Sequence, residues 1–331
     1  MKEQQKLKDF LKRIIFKMVA SDSNKSNLEL AIADWELDFY SRPIIENDGK
    51  KRWELIIAST KNFDNQENFF WQKNCPANQV NSIWLTNALK EALFDAEKKG
   101  WKKPEKVRFW RSSMKSIIKK SLDNLEIDSL VSRRTYSLLE KIEFLEKDVY
   151  PKEDGYVNGV LAPTFTSQII NDPKPLPEAV RGDSLTISEI SIGELRAAQS
   201  WPIEFGDIFP IEDSLKDQNQ IPGLRLFSKN RSIALAAWFS SLEPVKLCVD
   251  NNRLVLEALE DDKWLVTDLP KNDAIELNKK FSTSKEKSNG YQFISIQSDP
   301  YEEKFAGFWI LKDVELINKL IIRNAVSSKI I

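Results

Sequence analysis

The sequence WELDFYSRPI at positions 35–44, followed by RWELII at positions 52–57, decides the fold of the N-terminal half of this chain. Apolar and polar residues alternate in both stretches, a pattern typical of β-strands with two different faces. The turn-forming residues NDGK at positions 47–50 separate them, so an antiparallel hairpin is predicted. On the first strand, one face carries Trp35, Leu37 and Phe39, and the other carries Glu36, Asp38 and Tyr40.

The segments around and after this hairpin follow a regular order. Strands are predicted at 35–41, 52–60, 68–73, 106–111 and 128–133, and helices at 85–96, 114–125 and 135–148. The order β-β-β-α-β-α-β-α is that of a ribonuclease-H-like domain, an α/β sheet with three antiparallel strands followed by helical crossovers. We therefore predict this fold for the N-terminal half.

Length and composition predict two domains, because a single core rarely extends over 331 residues. The expected parts are a basic amphipathic helical extension with its linker (1–28), the ribonuclease-H-like domain (29–150), a Pro-rich linker (151–183) and a mixed α+β sheet domain (184–331). In the last part, strands are predicted at 185–192, 224–228, 245–249, 253–259, 263–269, 291–297 and 305–311, and helices at 194–200, 232–242 and 273–288. The Pro-containing segment between 200 and 224 is expected to be irregular.

Several classes of function are excluded by what the chain lacks. It contains no histidine, which removes histidine-based triads and histidine-ligated zinc. Its two cysteines are far apart, and no glycine-rich phosphate loop is present, so no metal site and no cofactor is expected. No apolar run approaches the roughly 20 residues of a membrane-spanning helix.

Six motifs spread along the chain carry a family resemblance. They are WELDFYSRPI (35–44), KKRWELII (50–57), LPEAVRGD (176–183), IPGL (221–224), AAWFSSLEP (236–244) and AGFWIL (306–311). In this order and spacing, the chain resembles the Tab/Atab family of RNA-binding proteins of chloroplasts and cyanobacteria. The residues that carry the family motif are Trp35, Glu36, Asp38, Phe39, Ser41, Arg42, Pro43, Trp53, Gly307, Phe308 and Trp309.

The resemblance implies a non-enzymatic protein that binds the leader of a photosystem I reaction-centre messenger RNA and promotes its translation and photosystem I biogenesis. Its partner would be single-stranded mRNA, together with the ribosome or photosystem assembly proteins. The implied location is the cytoplasm of a cyanobacterial-type cell or the chloroplast stroma. A rival hypothesis is a protein-interaction or assembly factor for photosystem complexes.

The carboxylates of Glu36 and Asp38 invite a second alternative, a metal-dependent nuclease. A ribonuclease-H-like nuclease needs several carboxylates that hold two Mg²⁺ ions, and Asp38 and Glu91 could supply two of them. The predicted fourth strand, however, ends in the basic sequence RFWRSS at 108–113. We therefore expect the scaffold without the catalytic carboxylate set, and ion pairs of the motif carboxylates with Arg42, Arg52 or Arg111.

The net charge of −1 means that RNA binding would need a local basic patch. The segment 101–134 carries ten basic and four acidic residues, a net charge of +6. The candidate RNA-binding residues are Arg108, Trp110, Arg111, Lys115, Lys119, Arg133 and Arg134, with Arg42 and Lys51 as weaker candidates. The alternative is a solvated basic face with Trp110 in the core, and the two hypotheses have about equal weight.

Overall fold

The central strand of the N-terminal half, β1 (Trp35–Ile45), is buried on both faces. The computed structural model describes residues 33–63, 68–158, 172–258 and 262–314, which belong to one compact unit. On one face of β1, the ring of Phe39 stacks on Trp84 of the first helix at 5.5 Å. On the other face, Glu36 accepts a hydrogen bond from the backbone of Leu138. Helices therefore cover both sides of this strand, and the polar face predicted from the alternation lies inside the protein.

The N-terminal half contains one five-stranded mixed sheet. Its strand order is β3-β2-β1-β4-β5, with antiparallel pairs among the first three strands and parallel pairs β1/β4 and β4/β5. The elements after β1 are β2 (Lys51–Ser59), β3 (Phe70–Cys75), α1 (Ser82–Lys98), β4 (Lys106–Phe109), α2 (Lys115–Asp123), β5 (Asp128–Val131) and α3 (Tyr136–Phe144). The observed element order is the β-β-β-α-β-α-β-α of the prediction. The ribonuclease-H-like classification of this arrangement remains a prediction.

The C-terminal half contains two further sheets. One has the order β7-β9-β13-β14-β8 and the other the order β10-β11-β12-β6. The elements are β6 (Lys174–Pro175), β7 (Ser184–Ser191), α4 (Ile192–Arg196), β8 (Ile203–Asp207), β9 (Gln220–Phe227), α5 (Ser232–Leu242), β10 (Lys246–Asp250), β11 (Arg253–Glu257), β12 (Lys263–Asp268), α6 (Lys271–Lys287), β13 (Tyr291–Gln297) and β14 (Phe305–Lys312). A core that includes Phe239, Leu277 and Trp309 packs α5 and α6 against the sheets. The mixed α/β fold class predicted from the sequence is confirmed.

Strand β8 was expected to be irregular, and the structure corrects this. It pairs in parallel with β14 although Pro202 precedes it and Gly206 lies within it. A Cβ atom on Gly206 would lie 2.4 Å from the carbonyl oxygen of Phe308, so the glycine permits the close approach of the two strands. Proline and glycine, which normally indicate a turn, here lie next to and within a β-strand.

The domain boundaries remain predictions. Within the expected linker, Lys174–Pro175 forms the short strand β6 beside β12. The expected helical extension at 1–28 lies outside the described residues. Within the described ranges, no helix is long and apolar enough to cross a membrane.

Candidate functional site

The carboxylate of Asp38, in the first half of β1, is held by two arginines. Nη1 of Arg42 lies 2.9 Å from Oδ2 of Asp38, and Nε of Arg111 lies 2.5 Å from Oδ1. Burial alone would raise the pKa of Asp38, but the charges of Arg111 and Arg42 outweigh burial and hold the pKa below its usual 3.8. The ion pairs predicted for this carboxylate with Arg42 and Arg111 are confirmed. For Glu36 the prediction is wrong: in the described residues it forms no ion pair and accepts a hydrogen bond from Leu138 instead.

Aromatic rings and a second carboxylate enclose this ion pair. The guanidinium of Arg111 lies 4.0 Å from the ring centre of Tyr40 and 3.9 Å from that of Trp110. Arg42 also donates through Nε to Glu54 at 3.3 Å, and the hydroxyl of Tyr150 donates to the same glutamate at 2.5 Å. In this cluster each charged group faces an opposite charge.

The second carboxylate considered for a nuclease, Glu91 on α1, lies at the surface. It pairs with Lys73 at 2.5 Å and its side chain is 53% exposed. In the part of the chain that the structure describes, no group of three His, Cys, Asp or Glu residues could hold a metal ion. Asp38 is thus a structural anion whose charge two guanidinium groups already compensate.

Arg108 on β4 joins the two halves of the protein. Its Nε and Nη2 atoms donate to the carboxylate of Glu243 at 2.7 and 3.1 Å, and its Nη1 atom donates to Asp34 at 2.8 Å. Glu243 also accepts a hydrogen bond from the hydroxyl of Ser132 at 2.8 Å. A bidentate arginine–carboxylate pair of this kind fixes both the distance and the orientation of its partners.

Arg134 and Arg133 add further contacts across the same interface. Arg134 donates to Asp207 at 2.8 Å, to the carbonyl oxygen of Pro244 at 2.6 Å and to that of Ile310 at 2.9 Å. Nη1 of Arg133 lies 3.0 Å from Oε2 of Glu257. Arg108, Arg133 and Arg134 together form what we call the arginine clamp.

Exposed lysines mark the outer face of α2. Lys115, Lys119 and Lys120 line a depression of about 420 Å³ that is open to solvent, together with Ser116, Asp123 and Asn124. Residues four positions apart lie on the same side of a helix, so Lys115 and Lys119 form one row and Ser116 and Lys120 another. We call Lys115, Lys119 and Lys120 the lysine face. Its cations are accessible to an anionic partner.

Two sequence models of one family match the chain. The model for the N-terminal region of the RNA-binding protein Tab2/Atab2 matches residues 34–144, and the model for the C-terminal domain matches residues 164–312. The chain belongs to the Tab2/Atab2 family of RNA-binding proteins. The family description is that of an RNA-binding protein and not of an enzyme.

Two relatives of this Tab2/Atab2 chain are named "Protein TAB2 homolog, chloroplastic". The protein from Zea mays is 30% identical over 295 residues, which cover 86% of this chain and 72% of the relative. The protein from Arabidopsis thaliana is 30% identical over 298 residues, which cover 86% of this chain and 75% of the relative. Among solved structures, a chain of a simian T-cell lymphotropic virus intasome complexed with PP2A regulatory subunit B56 gamma is 11% identical over 74% of this chain and 82% of that chain, with a TM-score of 0.28. That score is too low to support an argument.

The structure divides the predicted RNA-binding residues of this Tab2/Atab2 protein into two groups. Those with little exposed surface are Arg42, Arg108, Trp110, Arg111 and Arg134, each at most 6% exposed, and Arg133, which is half-buried. Those that are exposed are Lys51, Lys115 and Lys119. Because the arginines already face carboxylates or carbonyl oxygens, their burial counts against direct contact with RNA phosphates. Trp110 lies in the core, as the alternative hypothesis expected.

The sequence reasoning passed over Lys120, which lies beside Lys119 on the lysine face. The difference between arginine and lysine could have identified it. Arginine forms planar, bidentate pairs with carboxylates and is weakly hydrated, so it is favoured in buried pairs, whereas lysine stays in water. In the segment 101–134, the arginines form buried contacts and Lys102, Lys103, Lys115, Lys119 and Lys120 are exposed.

The C-terminal motif of the Tab2/Atab2 family lies in the core on β14. Phe308 stacks on Phe293 at 5.7 Å, and Trp309 packs near Phe239 with only 2% of its surface exposed. In the N-terminal motif, Trp35, Glu36, Phe39 and Pro43 are buried, while Ser41 and Trp53 are half-buried. The family motifs therefore specify packing and ion pairing in this structure.

Proposed function

We propose that this protein binds single-stranded RNA through the lysine face of α2. The observation that carries the proposal is the set of exposed cations Lys115, Lys119 and Lys120 around one open depression, in a chain that belongs to an RNA-binding family. Lysine ammonium groups bind phosphate oxygens as point charges and release counterions from the nucleic acid. The RNA is the leader of a photosystem I reaction-centre messenger, whose translation and photosystem I biogenesis the protein promotes.

Base stacking requires an aromatic ring other than Trp110, because Trp110 is buried. Phe94 on α1, the helix that packs against α2, is 57% exposed, and the ammonium group of Lys98 lies 4.0 Å from its ring centre. We include Phe94 in the RNA surface as a stacking partner. Lys51 lies in β2 at the β1–β2 hairpin and is an additional exposed cation.

The proposed function is binding without chemistry on the RNA. Asp38, the motif carboxylate considered for a metal, is bound by Arg42 and Arg111. Glu91 instead pairs with Lys73. The proposed location follows the names of the plant relatives, which are chloroplastic, and the alternative is the cytoplasm of a cyanobacterial-type cell.

The decisive experiment compares two triple variants of equal charge change. The first is Lys115→Gln, Lys119→Gln and Lys120→Gln on α2, and the matched control is Lys271→Gln, Lys279→Gln and Lys287→Gln at exposed positions of α6. Fluorescence anisotropy with the leader RNA is measured over a range of salt concentrations. The α2 variant should bind about tenfold or more weakly and lose roughly two units of the log–log salt slope, since each single-strand phosphate contact contributes about 0.7.

Different outcomes would reject different parts of the proposal: RNA binding itself, the lysine face, or recognition of the leader. If the wild-type protein shows no salt-sensitive affinity for the RNA, RNA binding itself is wrong. If both triple variants lose affinity equally, the effect comes from overall charge and the lysine face is wrong. Equal binding to an unrelated single strand would reject recognition of the leader. Co-purified photosystem or ribosomal proteins that survive nuclease treatment would favour the assembly-factor function.

A further inference from the structure

A small cavity lies where the N-terminal and C-terminal halves meet. Its volume is about 30 Å³, and its lining includes Glu36, Arg108, Arg134, Tyr136 and Asp207. Polar and apolar atoms both line it, and a volume of this size can hold one or two water molecules. Asp207 comes from β8 of the C-terminal half and Glu36 from β1 of the N-terminal half, so the cavity spans their contact.

The carboxyl group of Glu36 has fewer hydrogen-bond donors around it than a buried, ionised carboxylate needs. Its Oε2 atom accepts a hydrogen bond from the backbone N–H of Leu138 at 2.8 Å, and the residue is 2% exposed. The guanidinium of Arg108 is engaged by Glu243 and Asp34. The guanidinium of Arg134 donates to the carboxylate of Asp207 and to three carbonyl oxygens.

Among the residues that the structure describes, each cation around the cavity already has a carboxylate partner other than Glu36. The cations are Arg108 and Lys106 on β4, Arg134 before α3, Lys61 after β2 and Lys312 on β14, and their carboxylate partners are Asp34, Asp207, Glu140, Glu212 and Glu243. Tyr136 on α3 also faces the cavity. Five carboxylates therefore already face these five cations, before Glu36 is counted. An ionised Glu36 would add uncompensated negative charge beside Asp207 and Glu140.

We propose that the contact between the two halves is proton-linked through Glu36. The neutral carboxyl group fits the docked interface, and loss of its proton to solvent weakens the contact. The inference concerns the conformation of the protein and is independent of RNA binding.

The titration of this group is consistent with the geometry. Burial raises the pKa of Glu36 from 4.5 to about 8, although the Leu138 N–H and the charge of Arg108 oppose the shift. A carboxyl group whose pKa is raised on folding stabilises the folded state below its unfolded pKa, and this stabilisation is lost as the pH rises through the folded pKa. The equilibrium constant for opening of the interface should therefore increase by on the order of a thousandfold between about pH 4.5 and pH 8.

Hydrogen exchange of the wild-type protein and Glu36→Gln tests the proposal, because comparison at the same pH cancels the intrinsic pH dependence of exchange. Gln keeps the acceptor for Leu138 and cannot ionise. The two proteins should exchange alike near pH 4, where Glu36 is protonated in both the closed and the open state, whereas near pH 9 the interface peptides of the wild-type protein should exchange at least about tenfold faster. Glu97→Gln on the exposed part of α1 is the matched control and should behave as wild type at both pH values.

An unchanged ratio of exchange rates between wild type and Glu36→Gln from pH 4 to pH 9 would overturn the proposal. A second measurement uses the wild-type protein alone and does not depend on the folding of a variant. With glutamate carboxyl groups labelled with ¹³C, one resonance should titrate near pH 8. If no glutamate titrates in that range, Glu36 is ionised at neutral pH and the proposal fails.

Discussion

The guanidinium of Arg108 donates two hydrogen bonds to the carboxylate of Glu243, although 135 positions separate the two residues in the chain. Glu243 ends α5 with a left-handed φ of 55°, so its side chain leaves the helix at its C-terminal end. The regions matched by the two family models thus share a buried, bidentate ion pair. Its loss should affect the whole protein.

Arg108→Met should lower the free energy of unfolding by about 3–5 kcal/mol, because it leaves the buried carboxylate of Glu243 without its cation and removes a partner of the half-buried Asp34. In a cycle with Glu243→Gln, the double variant should be less destabilised than the sum of the single variants. Urea denaturation provides the measurement. Lys147→Met, which breaks an exposed pair with Glu143, is the control and should cost less than about 1 kcal/mol. Similar losses for Arg108→Met and the control would contradict the prediction.

Asp38→Asn should destabilise the protein most at neutral pH. The pKa of Asp38 is held below 3.8, so its stabilising contribution is present above that value and is lost as the pH falls through the folded pKa. We expect a loss of about 3–5 kcal/mol near pH 7, because Arg42 and Arg111 lose their shared anion. Urea denaturation at decreasing pH should show the difference from wild type shrinking below about pH 4. A pH-independent difference would show that the charge of Asp38 is not the cause.

Gly307→Ala should destabilise the C-terminal half by about 1–3 kcal/mol through overpacking. A Cβ atom at this position would lie 2.4 Å from the indole of Trp309 and 3.0 Å from the Cβ of Ala236. Gly193→Ala is a suitable control, since its Cβ would approach only Asp217, at 3.3 Å or more. Thermal unfolding of both variants gives the comparison, and an equal cost at the two positions would speak against a steric role for Gly307.

Exchanging arginine for lysine should destabilise the protein at the buried Arg134, whereas exchanging lysine for arginine on the exposed lysine face should have little effect. Arg134→Lys should reduce stability by roughly 2–3 kcal/mol, because one ammonium group cannot replace donors directed at Asp207, Pro244 and Ile310. Lys115→Arg combined with Lys119→Arg should leave stability within about 0.5 kcal/mol of wild type and preserve RNA affinity. Denaturation and anisotropy measure these effects. Loss of RNA affinity in a folded Arg134→Lys variant would place Arg134 in the RNA site after all.

The order of the elements was predictable because it depends on local patterns. Alternation at 35–44, the turn at 47–50 and the apolar stripe of α1 each occupy a short window. The helix α5 (Ser232–Leu242) and the strand β13 (Tyr291–Gln297) have the predicted bounds. Strand β8 was missed because Pro202 and Gly206 are turn-forming residues whose role depends on β14, about a hundred residues away.

Which residues of the basic segment are buried and which are exposed could not be predicted from its charge count. The partners of Arg108, Arg134 and Arg133 lie 135, 73 and 124 positions away, beyond the reach of any spacing rule. A count of +6 treats a buried guanidinium and an exposed ammonium as equal. The difference depends on tertiary packing, which places three acidic residues of the C-terminal half, Asp207, Glu243 and Glu257, against the arginines.

The division of the basic segment into buried arginines and exposed lysines limits how the outer surface can discriminate among messengers. Lys115, Lys119 and Lys120 carry flexible, single-point charges, and these do not form the planar pair of donors that recognises the edge of a guanine. A strand held by such groups could slide along the helix from one register to the next at little cost. Sequence-specific binding on top of the proposed lysine contacts would therefore require another surface, through shape or through contacts with the bases.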